Sequence, residues 1–264
     1  MSERRAYPNA PVVLVAIEIR HPVADELSKQ SLMALKRHLA SRCPLAIPAS
    51  GVSITATASG VQQESYTWPR YVSRDKTTAV TFRDGAIIVE TMRYGQYERL
   101  RDLVQMAVEG RQQFAPADGV ERIGMRYINE VRVPELRSLT DWSEWVAPSL
   151  SGPAMIEQPE GQELSAWQGV TVFGSQVASG SIVRHGAFEG YAVSPAGDLN
   201  RPTPPPGPFF LIDVDSYWVP EGETPDLKPD NAMARLDDLN LTAKGLFEGL
   251  ITDRLRNEVL RVER

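Results

Sequence analysis

The stretch Thr78-Ala79-Val80-Thr81-Phe82-Arg83-Asp84-Gly85-Ala86-Ile87-Ile88-Val89-Glu90-Thr91 decides the fold class. Two runs rich in β-branched and aromatic residues flank Arg83-Asp84-Gly85. An Asp-Gly pair tolerates the positive φ angles of a tight turn, so the stretch reads as a β-hairpin. Directly after it, Leu100, Leu103, Val104, Ala107, Val108 and Phe114 recur at helical spacing between Tyr97 and Phe114. That spacing predicts an amphipathic helix able to cover one face of a sheet. A hairpin feeding such a helix points to the α+β class: antiparallel sheets with long amphipathic helices packed on one face.

Working outward, Val12 to Arg20 reads as a strand whose first half is apolar on both sides, which suits a central place in a sheet. Ala24 to Ser41 carries Leu27, Leu32, Leu35 and Leu39 at helical spacing and stops at Pro44. Val52 to Thr57 reads as a strand. Tyr66, Trp68 and Tyr71 alternate around Pro69, which makes that stretch an edge strand. A strong strand follows at Arg122 to Val131.

Residues 147–161 are rich in Pro, Ser and Gly and read as a connection between an N-terminal α+β subdomain (1–146) and a C-terminal one (162–264). The latter holds strands at Ala166 to Val177, Ser181 to Tyr191 and Phe209 to Val219. A polyproline-type loop, Arg201 to Pro208, precedes the last of these. One long helix is expected from about Asn231 to Val262. Strands lead into a long helix in both halves, so the order reads as one strand–strand–helix unit used twice. Chance recurrence is the alternative, because the likeness lies in element order rather than residue identity.

The chain of 264 residues is 42% hydrophobic and 23% charged, as globular proteins are. Its longest apolar run, Ala10 to Ile17, is far short of the roughly 20 residues that cross a bilayer. Met1-Ser2-Glu3-Arg4-Arg5 is followed by no leucine-rich segment, so the expected location is cytoplasmic. A net charge of −6 argues against general nucleic-acid binding, which needs a basic surface. Cys43 is the single cysteine, which excludes an internal disulfide and is expected to pack inertly. His21, His38 and His185 are too widely spaced for a metal motif. No nucleotide-binding glycine loop, nucleophile elbow or zinc-protease signature occurs. No cofactor is expected.

Two groups of residues stand out. Asp213 and Asp215 are two apart on one strand, so both project from one sheet face together with Phe209 and Leu211. Such a pair could hold a divalent cation or do acid/base work; otherwise it faces solvent or pairs with arginines. Arg126, Tyr127 and Asn129 lie on the mid-chain strand. Asn129 in a β run needs a hydrogen-bonding partner or a ligand, since an unsatisfied buried amide costs about 1–3 kcal/mol. Trp142 and Trp145 either anchor a partner or cap the core. Arg184-His185-Gly186 is either a proton-transfer site or a solvated turn beside a lone histidine.

Several segments together resemble a sporadically distributed bacterial family of uncharacterised proteins. They are Tyr7-Pro8-Asn9-Ala10-Pro11-Val12-Val13, Gly124-Met125-Arg126-Tyr127-Ile128-Asn129, Leu211 to Asp215 and Phe247 to Asp253. The resemblance implies a patchy bacterial distribution, of the kind that accompanies mobile-element, defence or toxin–antitoxin loci, and supplies no catalytic residues. The expected function is therefore a non-catalytic binding or interaction protein with a protein partner or a second copy. A carboxylate-dependent enzyme and a small-molecule sensor are the alternatives.

Overall fold

The computed structural model describes residues 7–57, 60–136, 138–175 and 177–262; Met1 to Arg5 lie outside them. The Asp84-Gly85 turn joins strands β6 (Thr78–Arg83) and β7 (Ala86–Thr91), and helix α2 (Tyr97–Phe114) follows. These strands belong to one large antiparallel sheet. Its other members are β1 (Val12–Arg20), β2 (Leu45–Ala46), β5 (Arg70–Val72), β8 (Arg122–Val131), β9 (Trp167–Gly174), β10 (Gly180–Gly190) and β11 (Gly207–Trp218). The order across the sheet is β2-β5-β6-β7-β1-β8-β11-β10-β9, with β1 and β8 paired near its centre. A separate hairpin, β3 (Ala49–Thr57) with β4 (Gly60–Trp68), leaves the sheet before β5. Pro69, which has no N–H to donate, separates β4 from β5.

Strand alternation sorts the side chains cleanly. Val15, Ile17, Ile19, Val80, Phe82, Met125, Tyr127, Ile212 and Val214 all point to one face, and all are buried. Helix α1 (Lys29–His38), α2 and α3 (Pro229–Leu250) cover that face, with α3 against β8 and β11 and α1 against α2. Gly110 of α2 is where α1 comes closest, since a Cβ there would meet the His38 ring at 2.9 Å. Trp142 lies in a short 3₁₀ turn (Leu139–Glu144), fully buried, with its ring 5.4 Å from that of Phe210. It caps the core beneath the connecting segment.

The terminal helix is not continuous. Ile251 takes an extended backbone (φ −115°, ψ 150°) and pairs with Val146. Thr252 then caps the short helix α4 (Asp253–Leu255), its hydroxyl accepting from the Leu255 N–H, and a π-turn completes the segment to Leu260. The apolar spacing of residues 239–259 hides this break because Leu255 and Val259 are still buried after it.

Among the described residues, the three long helices all pack on one face of the sheet. Across the other face, at the end of the sheet where β10 stops and β11 starts, runs a strap of residues 191–206. Its near end is held by Glu130 of β8, which receives the Ala192 N–H (2.8 Å), Arg132 Nε (2.9 Å) and Arg201 Nη1 (3.4 Å). Its far end packs Leu199 on Val72 and Ala79 and pairs Asp198 with Arg70 at 3.1 Å. Among the described residues, no helix is long and apolar enough to cross a membrane.

Candidate functional site

The strand pairing divides the two groups of residues singled out from the sequence. Tyr127 and Asn129 point to the helix-covered face. The Tyr127 hydroxyl donates to Asn240 Oδ1 of α3 at 2.8 Å and stands 3.5 Å from the Tyr94 hydroxyl. Burial pushes the Tyr127 phenol well above its ordinary range, so it stays a neutral donor. Asn129 donates from Nδ2 to the Ile212 carbonyl at 2.8 Å. Its partner is the neighbouring strand, and its amide is satisfied inside the core.

Arg126, Asp213 and Asp215 meet on the open face. Asp213 sits opposite Ile128 of β8 and Arg184 of β10, and Asp215 opposite Arg126 and Ile182. Arg126 reaches diagonally: Nε to Asp213 Oδ1 at 2.8 Å and Nη2 to Oδ2 at 2.7 Å. From the other side Arg184 Nη1 lies 3.6 Å from Asp213 Oδ2. The exposures rank the charges: Asp213 retains 2% of its side-chain surface, Arg126 42% and Arg184 38%. The carboxylate is underneath and the guanidinium groups are on top.

Asp215 is held by Arg122 Nη2 at 3.6 Å, and Arg122 also donates to Glu18 at 3.1 Å while its guanidinium lies over the Tyr217 ring. Burial pushes the Asp215 carboxyl up, against the opposing pull of Arg122, Arg126 and Arg184. The open face thus carries a lattice in which each carboxylate touches at least one arginine. Among the described residues no group of three or more His, Cys, Asp and Glu is arranged to hold a metal ion.

Arg122 does not stand out in the sequence, and Arg184 stands out only as the neighbour of His185. Strand alternation alone places Arg122 on the same face as Arg126, four residues away. Arg184 becomes visible only once β10 is known to pair with β11. The segment Arg184-His185-Gly186 is not a turn but the middle of β10. His185 is buried on the helix-covered face, stacked on Phe210 at 14° between planes, in space left by the missing Cβ of Gly169. Its position follows from pairing, which sequence spacing did not reveal.

Beside Arg184 the sheet ends in β9. Val170 lies opposite Arg184 and Val172 opposite Ile182, and both valines are exposed, as is Phe173. Cys43, by contrast, is fully buried, and burial pushes its thiol up to about 11, in keeping with a packing role. No protein-family model matches the chain, and no curated protein matches it in sequence.

Proposed function

We propose that this chain is a non-catalytic binding protein whose open sheet face receives an acidic segment of a protein partner. The order of charges at Asp213 carries the reading. A buried carboxylate fixes Arg126 from below, and Arg126 and Arg184 keep much of their side-chain surface open to solvent. A guanidinium held in place presents a planar fork matched to a carboxylate, and little freedom is lost when it binds. Val170 and Val172 extend this surface with apolar area next to Arg184. Arginine is enriched at protein interfaces and among the residues that dominate their binding energy.

The same arrangement disfavours the carboxylate-enzyme alternative. Both Asp213 oxygens accept from Arg126, and Asp215 stands among three guanidinium groups that repel a divalent cation. Titration with magnesium or manganese is expected to release no binding heat; a saturable response that is lost in Asp215→Asn would restore the enzyme reading.

Membership in the sporadic bacterial family and a defence-type or toxin–antitoxin setting belong to this proposal and rest on the sequence resemblance, while a cytoplasmic location rests on the N-terminal sequence. The reading of one unit used twice belongs to it as well and rests on the order of elements, for which the sheet order gives support. β7 lies beside β1 and leads into α2, and β11 lies beside β8 and leads into α3.

The test is co-expression with each protein encoded beside the gene. A stable complex on gel filtration is expected with one of them, weakened by Arg184→Ala and by Val170→Asp while circular dichroism stays unchanged. A lone monomer beside every neighbour would overturn the proposal.

A further inference from the structure

At the end of the sheet where β5 turns into β6 and β7 leads into α2, a polar cleft of about 500 Å³ opens to the surface. Arg42 reaches it from the chain just after α1, Arg93 from the β7–α2 connection and Arg99 from the first turns of α2. Three arginines from three segments line one cleft on a chain of net charge −6. One carboxylate shares the cleft, Asp75, and its charge is largely taken up by its own turn. Oδ1 accepts from Ser73 Oγ at 2.6 Å, Thr77 Oγ1 at 3.0 Å and the Thr77 N–H at 3.2 Å. Arg93 approaches the other oxygen at 3.7 Å. Arg42 donates to the Arg99 backbone carbonyl at 3.0 Å, and among the described residues neither Arg42 nor Arg99 forms an ion pair.

The wall supplies further donors. Thr78 Oγ1 and Thr91 Oγ1 share one hydrogen bond at 2.9 Å, and Thr91 also accepts from the Arg93 N–H. Two hydroxyls in a single bond leave one O–H proton unspent. Tyr94 and Leu100 give the cleft an apolar side. A site of a few hundred cubic ångströms with convergent cationic donors and one apolar side has the make-up of a small-ligand pocket.

We propose that this cleft binds a small phosphorylated molecule, its phosphate held by Arg42, Arg93 and Arg99 and its apolar part against Tyr94. A phosphate dianion accepts more hydrogen bonds than a carboxylate and makes fuller use of donors that arrive from three directions. The cleft shares no arginine with the open face, so the two sites can be tested apart.

The experiment is calorimetric titration of the full chain with inorganic phosphate and with adenosine monophosphate, each against sodium chloride at matched ionic strength. Saturable binding is expected for both, tighter for the nucleotide, and at least tenfold weaker in Arg42→Gln and in Arg99→Gln. Lys228→Gln, at an exposed residue outside both sites, is expected to bind as the natural chain does. Absence of saturable binding in the natural chain, or equal binding in the glutamine variants with their folds verified by circular dichroism, would overturn the proposal. Failure of every protein partner to bind would leave this result unaffected.

Discussion

Arg126 grips Asp213 with two hydrogen bonds, of 2.8 and 2.7 Å, across β8 and β11, and one partner is buried while the other stays half in water. This asymmetry sets the cost of breaking the pair. Arg126→Ala strands a buried carboxylate, with only Arg184 nearby at 3.6 Å. Asp213→Asn frees a guanidinium that water can still reach. Removing one partner of a buried pair costs up to 3–5 kcal/mol, so, discounted for Arg126 exposure, about 2–3 kcal/mol is expected for Arg126→Ala and about 1 for Asp213→Asn. Urea unfolding of both variants checks the order; equal losses would show that the carboxylate is better solvated than its burial implies.

Glu130 fixes the strap through the Ala192 N–H and Arg201, and both it and Arg201 are almost fully enclosed. Glu130→Ala leaves Arg201 and the Ala192 N–H without their acceptor, at an expected cost of about 3 kcal/mol. The first visible effect is expected in residues 191–206. Hydrogen exchange there should accelerate before the sheet's central strands respond.

The buried histidines link stability to acid. Burial holds His185 below its ordinary value of 6.5, and burial does the same to His21, with the Pro22 carbonyl pulling weakly the other way. A ring harder to protonate in the folded chain than in the unfolded one leaves stability intact above about pH 6.5. Stability is then lost as the pH falls through that value toward the lower folded one. The melting temperature is expected to follow this course, and His185→Phe, which keeps a ring against Phe210, to flatten part of the fall. An unchanged slope in that variant would detach His185 from the acid response.

Thr252 both caps α4 and donates to the backbone of Glu144 and Trp145. Thr252→Ala is expected to lose about 1 kcal/mol, as helix caps do. Thr252→Ser, which keeps the hydroxyl, should recover most of it in the same thermal melt.

The parts of the fold that could be read from the chain are those fixed by neighbours in sequence. The Asp84-Gly85 hairpin, α2 and the mid-chain strand depend on turn chemistry and on local apolar periods, and all three stand where expected. At the break Ile251 pairs with Val146, about a hundred residues away, and the capping residue Thr252 is too weak a local signal to interrupt an apolar period that runs on through Leu255 and Val259. For the site, Arg126, Asp213 and Asp215 were noticed as charges within strands. Their meeting, and the enlistment of Arg184, depend on which strands become neighbours. Tyr127 and Asn129 looked alike with Arg126 in sequence because one residue's step along a strand changes the face entirely.

The pairing of β1 with β8 has a consequence for how the molecule is made. Val15 has two neighbours across the sheet: Thr91, which precedes α2, and Tyr127, which lies beyond it. A nascent chain emerging from the ribosome can close β1 on β7 early, yet one side of β1 remains an open edge until β8 has been synthesised. During that interval the sheet's future centre is an exposed ladder of unmet donors and acceptors beside Val13 and Ile17. Such contacts between distant segments slow folding, so refolding is expected in the slow range for its size, with the central strands the point at which misassembly begins.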